Sequence, residues 1–220
     1  MTETGNQRSA GQAYLVRPGD DGEGSGPGVL VLSSWWGLTS GIKDFCNRLC
    51  DEGFVVLAPD LTGGLLPDTA AEAEVELAAT DPNSTANLVL SSAFALRSAT
   101  DNPSGPVAVV GFSMGASWAL WAATRQPESF DKVVVYYGSQ SIDFGDLQAR
   151  VQGHFAEHDE LVAEDDVLLL ESELFELGLE PEMWHYDGVG HWFAEQGVAE
   201  SYDEAAAELA WRRTLDFLRS

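Results

Sequence analysis

Residues 107–115 read VAVVGFSMG, and this stretch decides the fold. Its four leading apolar residues predict a buried strand, and a helix-like segment follows at 116–125. A serine between two glycines at such a junction is typical of a G-x-S-x-G elbow, a sharp turn between strand and helix. Gly111 and Gly115 leave space where the backbone turns, so Ser113 would project its hydroxyl above the sheet. The pattern predicts a serine nucleophile at a helix N-terminus, which favours a developing oxyanion.

Outward from the elbow, apolar runs alternate with helical segments. Further strands are predicted at residues 13–17, 29–32, 54–58, 133–137, 151–155 and 181–186. Helices are predicted at 41–52, 84–99 and 166–177, and a capping box of Ser201 and Glu204 opens a final helix that ends near Leu218. Residues 60–83 interrupt this rhythm with a short acidic helix of the kind that shapes a pocket. The alternation predicts an α/β domain with a mostly parallel sheet and helices on both faces.

The balance of charge excludes one class of partner. The chain has 36 acidic and 11 basic residues, which gives a formal net charge of −25. Such a surface repels phosphate backbones, so we expect no nucleic-acid binding. The acids are dispersed without the spacing of metal ligands, so no metal site and no cofactor is predicted. The acidity itself is typical of a highly solvated surface, as in salt-adapted proteins.

Length and hydropathy bound the organisation of the chain. Its 220 residues are most simply one domain over 1–220, with a probable flexible tail at 1–12. No apolar run approaches the roughly 20 residues of a membrane span, and the polar start lacks the pattern of a signal peptide. We therefore expect a soluble cytoplasmic protein. Its oligomeric state is not indicated.

The two cysteines, Cys46 and Cys50, stand four residues apart in a predicted helix. That spacing is neither C-x-x-C nor typical of zinc sites. Two buried thiols in a reducing compartment explain them best, and a redox pair is the alternative.

A serine nucleophile needs a histidine base, and His191 is the best candidate. It follows the last predicted strand in the segment GVGHWF at 188–193, and small residues before it leave the imidazole room to reach over the sheet. His154 and His185 lie within predicted strands and are expected to be packing or surface residues. His158 is in a suitable loop, but choosing it would leave His191 without a role.

The acid that orients the base is predicted to be Asp159, which follows the strand around residue 154. The chain order is then Ser113, Asp159, His191, as in α/β-hydrolases. Glu157 is the alternative, because an error of two residues in the loop would exchange them. Asp187 is closer to His191 in sequence but would have to fold back on it.

Two backbone N–H groups are predicted to bind the oxyanion. One belongs to Met114, the residue after the nucleophile. The other is expected from the loop after an early strand, here SSWWG at 33–37, where Trp35 is the natural donor. The Trp35 and Trp36 side chains can pack in the core without affecting a backbone donor.

Taken together, these segments resemble the dienelactone hydrolase family over nearly the whole chain. The segments that carry the resemblance are SWWG at 34–37, LAPDL at 57–61, GFSMG at 111–115, YYG at 136–138, the Asp159 loop, GHWF at 190–193 and RTLDFL at 213–218. The resemblance implies an α/β-hydrolase fold without a large cap, and hydrolysis of a lactone or ester by a nucleophile–Asp–His triad.

Departures from the family pattern concern the substrate. The best-known members have cysteine where this chain has Ser113 and glutamate where it has Ser34, and they bind the dienelactone carboxylate with arginines. One of those arginines is expected where Glu195 stands, and no arginine lies between Pro59 and Arg97. An acid facing an anionic substrate would repel it. We therefore predict a neutral substrate in a pocket formed by Ser34, Trp36, Trp192 and Glu195, with an apolar acyl group near Trp35, Trp36, Met114 and Trp192.

The sequence thus favours a serine hydrolase that cleaves a small-molecule ester or lactone through an acyl-enzyme on Ser113. Two alternatives stay open. One is a non-catalytic binding protein with the same fold, since a fold alone does not establish activity. The other retains the triad for thioester hydrolysis or for acyl transfer to another acceptor.

Overall fold

The computed structural model describes residues 13–19 and 22–220. The strands are β1 (Tyr14–Val16), β2 (Gly28–Leu32), β3 (Val55–Ala58), β4 (Val107–Phe112), β5 (Phe130–Tyr136), β6 (Arg150–His158) and β7 (Glu182–Gly190). The helices are α1 (Ser40–Asp51), α2 (Ala70–Ala78), α3 (Pro82–Ala99), α4 (Met114–Arg125), α5 (Glu164–Glu176) and α6 (Glu204–Arg219). The predicted tail at 1–12 falls outside the described residues. No helix within the described ranges has the length and apolarity needed to span a bilayer.

The seven strands form one sheet in the order β1-β3-β2-β4-β5-β6-β7. Only β1 runs antiparallel to its neighbour, and the other pairings are parallel, as predicted. Helices α1 and α6 pack on one face, and α3, α4 and α5 pack on the other. Both faces of the central strands are therefore buried, and every residue of β2, β3 and β4 lies in the core.

The last two strands are longer than their apolar runs suggested. They pair with each other from Gln152 and Glu182 as far as His158 and Gly190, with an irregularity after Ala156. Main-chain pairing at a sheet requires no apolar side chains, so hydropathy underestimates where such strands end. The extension brings the residues after β6 and β7 to the same edge of the sheet.

Helices α6 and α3 begin at residues other than those predicted, because different side chains cap them. The predicted capping box of Ser201 and Glu204 is wrong, because Asp203 caps α6 by accepting a hydrogen bond from the N–H of Ala206. The N–H of Asp203 itself donates to the carbonyl of Phe193, which fixes the chain at that residue. Likewise α3 begins at Pro82 because Asp81 caps it.

A buried polar network joins the sheet to α6. His154 Nδ1 lies 2.8 Å from the hydroxyl of Tyr186, and its Nε2 lies 3.0 Å from both Gln152 Oε1 and Thr214 Oγ1. Burial lowers the pKa of His154 to about 3, so the ring is neutral at neutral pH. This histidine is a packing residue, as its position in a strand predicted.

Both cysteines are free thiols on α1. Cys46 is buried and packs in the core, and burial raises its thiol pKa to about 12. Cys50 is only partly buried, which differs from the expectation of two buried thiols. The helical spacing of four residues places them one turn apart without a covalent link.

Candidate active site

The elbow at Ser113 is a strained turn between β4 and α4. Ser113 has φ 51° and ψ −115°, in a region that side-chain-bearing residues rarely adopt. A Cβ at Gly111 would lie 2.3 Å from the carbonyl oxygen of Gly115, and one at Gly115 would lie 2.2 Å from that of Leu32. Both glycines are therefore required for helix and strand to approach so closely. Strain of this kind is commonly stored at functional sites.

The structure brings Ser113, His191 and Asp159 together in one chain of hydrogen bonds. His191 Nε2 lies 2.8 Å from Ser113 Oγ. His191 Nδ1 lies 2.8 Å from each carboxylate oxygen of Asp159. Three parallel strands deliver these residues, because Ser113 follows β4, Asp159 follows β6 and His191 follows β7. The carboxyl ends of parallel strands share one edge of a sheet, where ligands of open α/β sheets bind.

Asp159 is held so that it can orient the imidazole. Its Oδ1 accepts hydrogen bonds of 2.9 Å from the N–H groups of both Leu161 and Val162. A carboxylate that only accepts requires the proton of His191 to be on Nδ1, which leaves Nε2 free to accept from a serine hydroxyl. The side chains of His191 and Asp159 are only 5% and 6% exposed, so the pair is shielded from water.

The alternative acids and base lie elsewhere. Glu157 points to the Gly188 N–H, which donates to it at 2.7 Å, and its side chain is 51% exposed. Asp187 is exposed as well. His158 is the last residue of β6, with its side chain 71% exposed beside Glu157. None of these three makes a hydrogen bond to His191 in the described structure.

Met114 and Trp35, whose backbone N–H groups were predicted to bind the oxyanion, line the same cavity. Met114 is the first residue of α4, and the first N–H groups of a helix have no partner within it. The Trp35 N–H has no acceptor in the part of the chain that the structure describes. Its neighbours are bonded, since the Trp36 N–H donates to Ser34 Oγ at 3.3 Å and the Gly37 N–H donates to the Ser34 carbonyl at 3.1 Å. These bonds shape the loop and leave the Trp35 donor available.

Behind this loop, Glu195 is bonded to two hydroxyl groups. Ser34 Oγ donates to its Oε2 at 2.8 Å, and the Tyr137 hydroxyl donates to its Oε1 at 3.2 Å. Ser34 is fully buried and Glu195 is 4% exposed. Burial raises the pKa of Glu195 to about 7, against the opposing effect of the two hydroxyl donors. The sequence placed Ser34 and Glu195 in the substrate pocket, but the structure pairs them inside the protein, since each satisfies the other there.

Tyr137 is the residue that sequence reasoning did not assign to the site. It has φ 37°, and its ring centroid lies 4.9 Å from that of His191. Burial and the neighbouring Glu195 carboxylate raise the pKa of its hydroxyl well above the usual value. Its position directly after β5, at the same sheet edge as Ser113, was a signal that could have found it.

Three tryptophans cluster beside the histidine. The ring centroids of Trp35, Trp36 and Trp192 are 5.4–5.9 Å apart. Trp192 also meets His191 edge to face, with centroids 4.7 Å apart. Within residues 13–19 and 22–220, the indole N–H groups of this cluster have no hydrogen-bond partner. The cluster packs the loop at 33–37 against the segment that follows β7.

The described residues contain no group of three histidine, cysteine or acidic side chains that could hold a metal ion. The arrangement found instead is a hydroxyl, an imidazole and a carboxylate in series, beside two amide donors and a helix N-terminus. Such an arrangement can activate an oxygen nucleophile and stabilise the negative charge that forms on an attacked carbonyl.

Comparison with known proteins gives consistent matches over the chain. The sequence model of the dienelactone hydrolase family matches residues 12–220. Protein usf of Aquifex pyrophilus is 30% identical over 217 residues, which are 94% of this chain and 92% of that protein. A candidate carboxymethylenebutenolidase of Aquifex aeolicus is 28% identical over 218 residues, covering 95% of this chain and 93% of that protein.

Solved structures agree in fold. A candidate dienelactone hydrolase of Klebsiella pneumoniae superposes with a TM-score of 0.80 at 24% identity, over 96% of this chain and 95% of that one. The dienelactone hydrolase-like promiscuous phosphotriesterase P91, from metagenomic libraries, gives 0.79 at 20% identity, over 94% and 97%. These likenesses confirm the predicted α/β-hydrolase fold without a large cap.

Proposed function

Because the chain belongs to the dienelactone hydrolase family and is a hydrolase, we propose that it cleaves small neutral esters or lactones through an acyl-enzyme on Ser113. The observation that carries this proposal is the continuous hydrogen-bond chain from Ser113 through His191 to Asp159, each link 2.8 Å long. Such a chain activates a serine hydroxyl, which is a weak nucleophile without a base. It also favours an enzyme over a binding module of the same fold.

In the first half of the reaction, Ser113 Oγ attacks the substrate carbonyl carbon while His191 Nε2 takes the hydroxyl proton. The carbonyl oxygen becomes an oxyanion that accepts hydrogen bonds from the Met114 and Trp35 N–H groups. Asp159 stabilises the imidazolium that forms. Collapse of the intermediate breaks the carbon–oxygen bond to the alcohol, and His191 gives its proton to the leaving oxygen.

In the second half, water attacks the acyl-enzyme. His191 takes a proton from the water as it attacks, and the same two amides bind the second oxyanion. The bond to Ser113 Oγ then breaks, the serine regains its proton from His191, and the acid product leaves. In a lactone, the alcohol stays attached to the acyl group until this step releases both as one hydroxy acid.

A neutral substrate is supported by the charges around the site. The cavity beside the amide donors has Glu76 on its wall and no arginine or lysine among its lining residues. A carboxylate on the substrate would meet negative charge without a basic partner. Efficient turnover of an anionic dienelactone with little activity on neutral esters would contradict this part of the proposal.

The proposal is tested by Ser113→Ala together with labelling by a fluorophosphonate, which reacts with activated serines. We expect the wild-type protein to form one covalent adduct at Ser113. The variant should lose the adduct and at least ~10⁴-fold in kcat on a neutral ester, since loss of the nucleophile removes the whole triad mechanism.

The matched control is Ser117→Ala, one turn further along α4. Ser117 Oγ donates to the Ser139 carbonyl, so this serine has a structural partner. Labelling and activity should persist in this variant. An unlabelled wild-type protein, or a Ser113→Ala variant that retains activity, would refute the assignment.

A further inference from the structure

A cavity of about 80 Å³ lies directly beside the two amide donors. Trp35 and Met114 form its inner wall, and Ser113 immediately precedes Met114 in the chain. The rest of its wall combines five apolar side chains with four polar ones: Leu61, Ala73, Leu77, Pro82 and Trp118 beside Thr62, Glu76, Thr80 and Thr85. A group bonded to the attacked carbonyl carbon would therefore leave the oxyanion hole into mainly apolar surroundings.

The reaction geometry assigns this cavity to the acyl part of the substrate. The leaving alcohol must lie next to His191, because that residue protonates it. His191 does not line the apolar cavity. It borders a different depression of about 440 Å³, together with Trp192 and residues 200–203. The apolar cavity is therefore placed away from the leaving alcohol, on the acyl side of the carbonyl.

The volume limits the length of the acyl chain. An apolar cavity of about 150 Å³ binds benzene, which has six carbons. A cavity of about 80 Å³ therefore holds a smaller group than that. That space suits a short unbranched acyl chain and is too small for a long fatty acid.

Helix α2 contributes Ala73, Glu76 and Leu77 to the cavity wall, and Ala73 is the smallest of the three. Ala73 is the buried residue of this helix, at 1% exposure, while Val75 on the same helix is 67% exposed. Ala73 also lines the cavity. A larger side chain at position 73 would either fill part of the cavity or displace α2 from it. Trp118 of α4 is a second large side chain on the cavity wall, beside Trp35.

We infer that this cavity is the acyl subsite, that Ala73 and Trp118 set its depth, and that the enzyme prefers esters of short unbranched apolar acids. The inference rests on the proposed hydrolysis at Ser113. It adds the substrate class and two specificity-determining residues.

The test measures kcat/KM for p-nitrophenyl acetate, butyrate, hexanoate and decanoate. The wild-type enzyme should be most active on butyrate or hexanoate and fall at least ~10-fold on decanoate. In Ala73→Leu, kcat/KM for hexanoate should drop by roughly 10–200-fold, the range for one misfitted methylene. Acetate should change less than ~3-fold, since its methyl group does not fill the cavity.

Trp118→Ala should move the optimum the other way, with a gain on decanoate relative to butyrate. The matched control is Val75→Ala on the exposed side of α2, which should retain the wild-type profile. If Ala73→Leu does not fold, Ala73→Val and Trp118→Ala carry the same comparison.

A profile that declines steadily from acetate, or one that neither cavity variant changes, overturns the inference while ester hydrolysis stands. Loss of turnover on every ester by the wild-type protein would instead refute the proposed function.

Discussion

At the scale of single residues, the site depends on a few side chains whose roles follow from their surroundings. Ser113 is held at a positive φ, so its hydroxyl stands clear of the sheet and within 2.8 Å of His191. Asp159 is fixed by two backbone N–H groups, which Glu157 is not. A carboxylate is therefore bonded to His191 at one position and is an exposed strand residue two positions earlier.

Burial changes the pKa of the Glu195 carboxyl and makes the stability of the protein depend on pH. Its pKa is raised from 4.5 to about 7, so the folded state binds a proton that the unfolded state has released between those pH values. Stability from this group is therefore present at low pH and is lost as pH rises through about 7.

We expect Glu195→Gln to remove this loss. From pH 5 to pH 8, the free energy of unfolding of the wild-type protein should fall by about 2–3 kcal/mol relative to the variant, at ~1.4 kcal/mol per pKa unit. Urea unfolding at both pH values measures it. His154, whose lowered pKa costs stability below about pH 6.5, is common to both proteins and cancels.

The exposed acid Glu200 provides the comparison for this measurement. Glu200→Gln should follow the wild-type curve, since water solvates this carboxylate in both states. A constant difference between wild type and Glu195→Gln across the pH range would show that Glu195 is ionised in the folded protein throughout.

At the scale of elements, the elbow is a packing arrangement as much as a turn. Helix α4 begins against the end of β2, where Gly115 faces the carbonyl oxygens of Leu32 and Ser33. Backbone atoms on both sides leave no flexible side chain to move aside. The serine is thus positioned by the contact between a helix and a neighbouring strand.

We expect Gly115→Ala to destabilise the protein severely. Its Cβ would lie 2.2 Å from the Leu32 carbonyl oxygen, and overpacking of this kind costs typically 1–3 kcal/mol and more where backbone must shift. Urea unfolding and soluble yield measure the effect.

Gly41→Ala in α1 is the matched substitution. Its nearest neighbour would be the Gly197 nitrogen at an ordinary 3.5 Å, and alanine in a helix gains up to ~1 kcal/mol over glycine. Equal stability of the two variants would mean that α4 can shift away from β2 at little cost.

At the scale of the whole molecule, the dominant property is charge. A formal charge of −25 is carried on 220 residues. In the described part of the chain, arginine–carboxylate pairs join Arg48 to Glu208, Arg150 to Glu182 and Arg219 to Glu52. These pairs lie at partly exposed positions, where they contribute little. Repulsion among the remaining acids therefore opposes the compact state.

We expect salt to stabilise the protein for this reason. Raising NaCl from 0.05 M to 1 M shortens the screening length to ~3 Å and should increase the free energy of unfolding by on the order of 1 kcal/mol or more. Urea is the suitable denaturant because guanidinium is itself a salt, and chloride avoids the strengthening of apolar burial by sulfate. Stability that stays level or falls with NaCl would contradict a repulsive surface.

Most of the architecture was predictable because its signals are local. Each apolar run of β2, β3 and β4, and the glycine-flanked serine, is contained in a few consecutive residues, so hydropathy and turn chemistry locate them. The ends of β6 and β7, and the cap of α6 at Asp203, were not predicted correctly. They depend on strand pairing and on a bond to Phe193, which no local pattern records.

The sequence by itself determined the elbow, the mostly parallel α/β order and the three residues Ser113, Asp159 and His191, because each follows a strand that ends at one edge of the sheet. Only the tertiary structure decided that Glu195 turns inward to Ser34 and Tyr137. It alone also decided that α2 lines a small apolar cavity beside the amide donors. The physical reason is separation along the chain. Ser34 and Glu195 are 161 residues apart, and their contact exists only once the loops after β2 and β7 meet above the folded sheet.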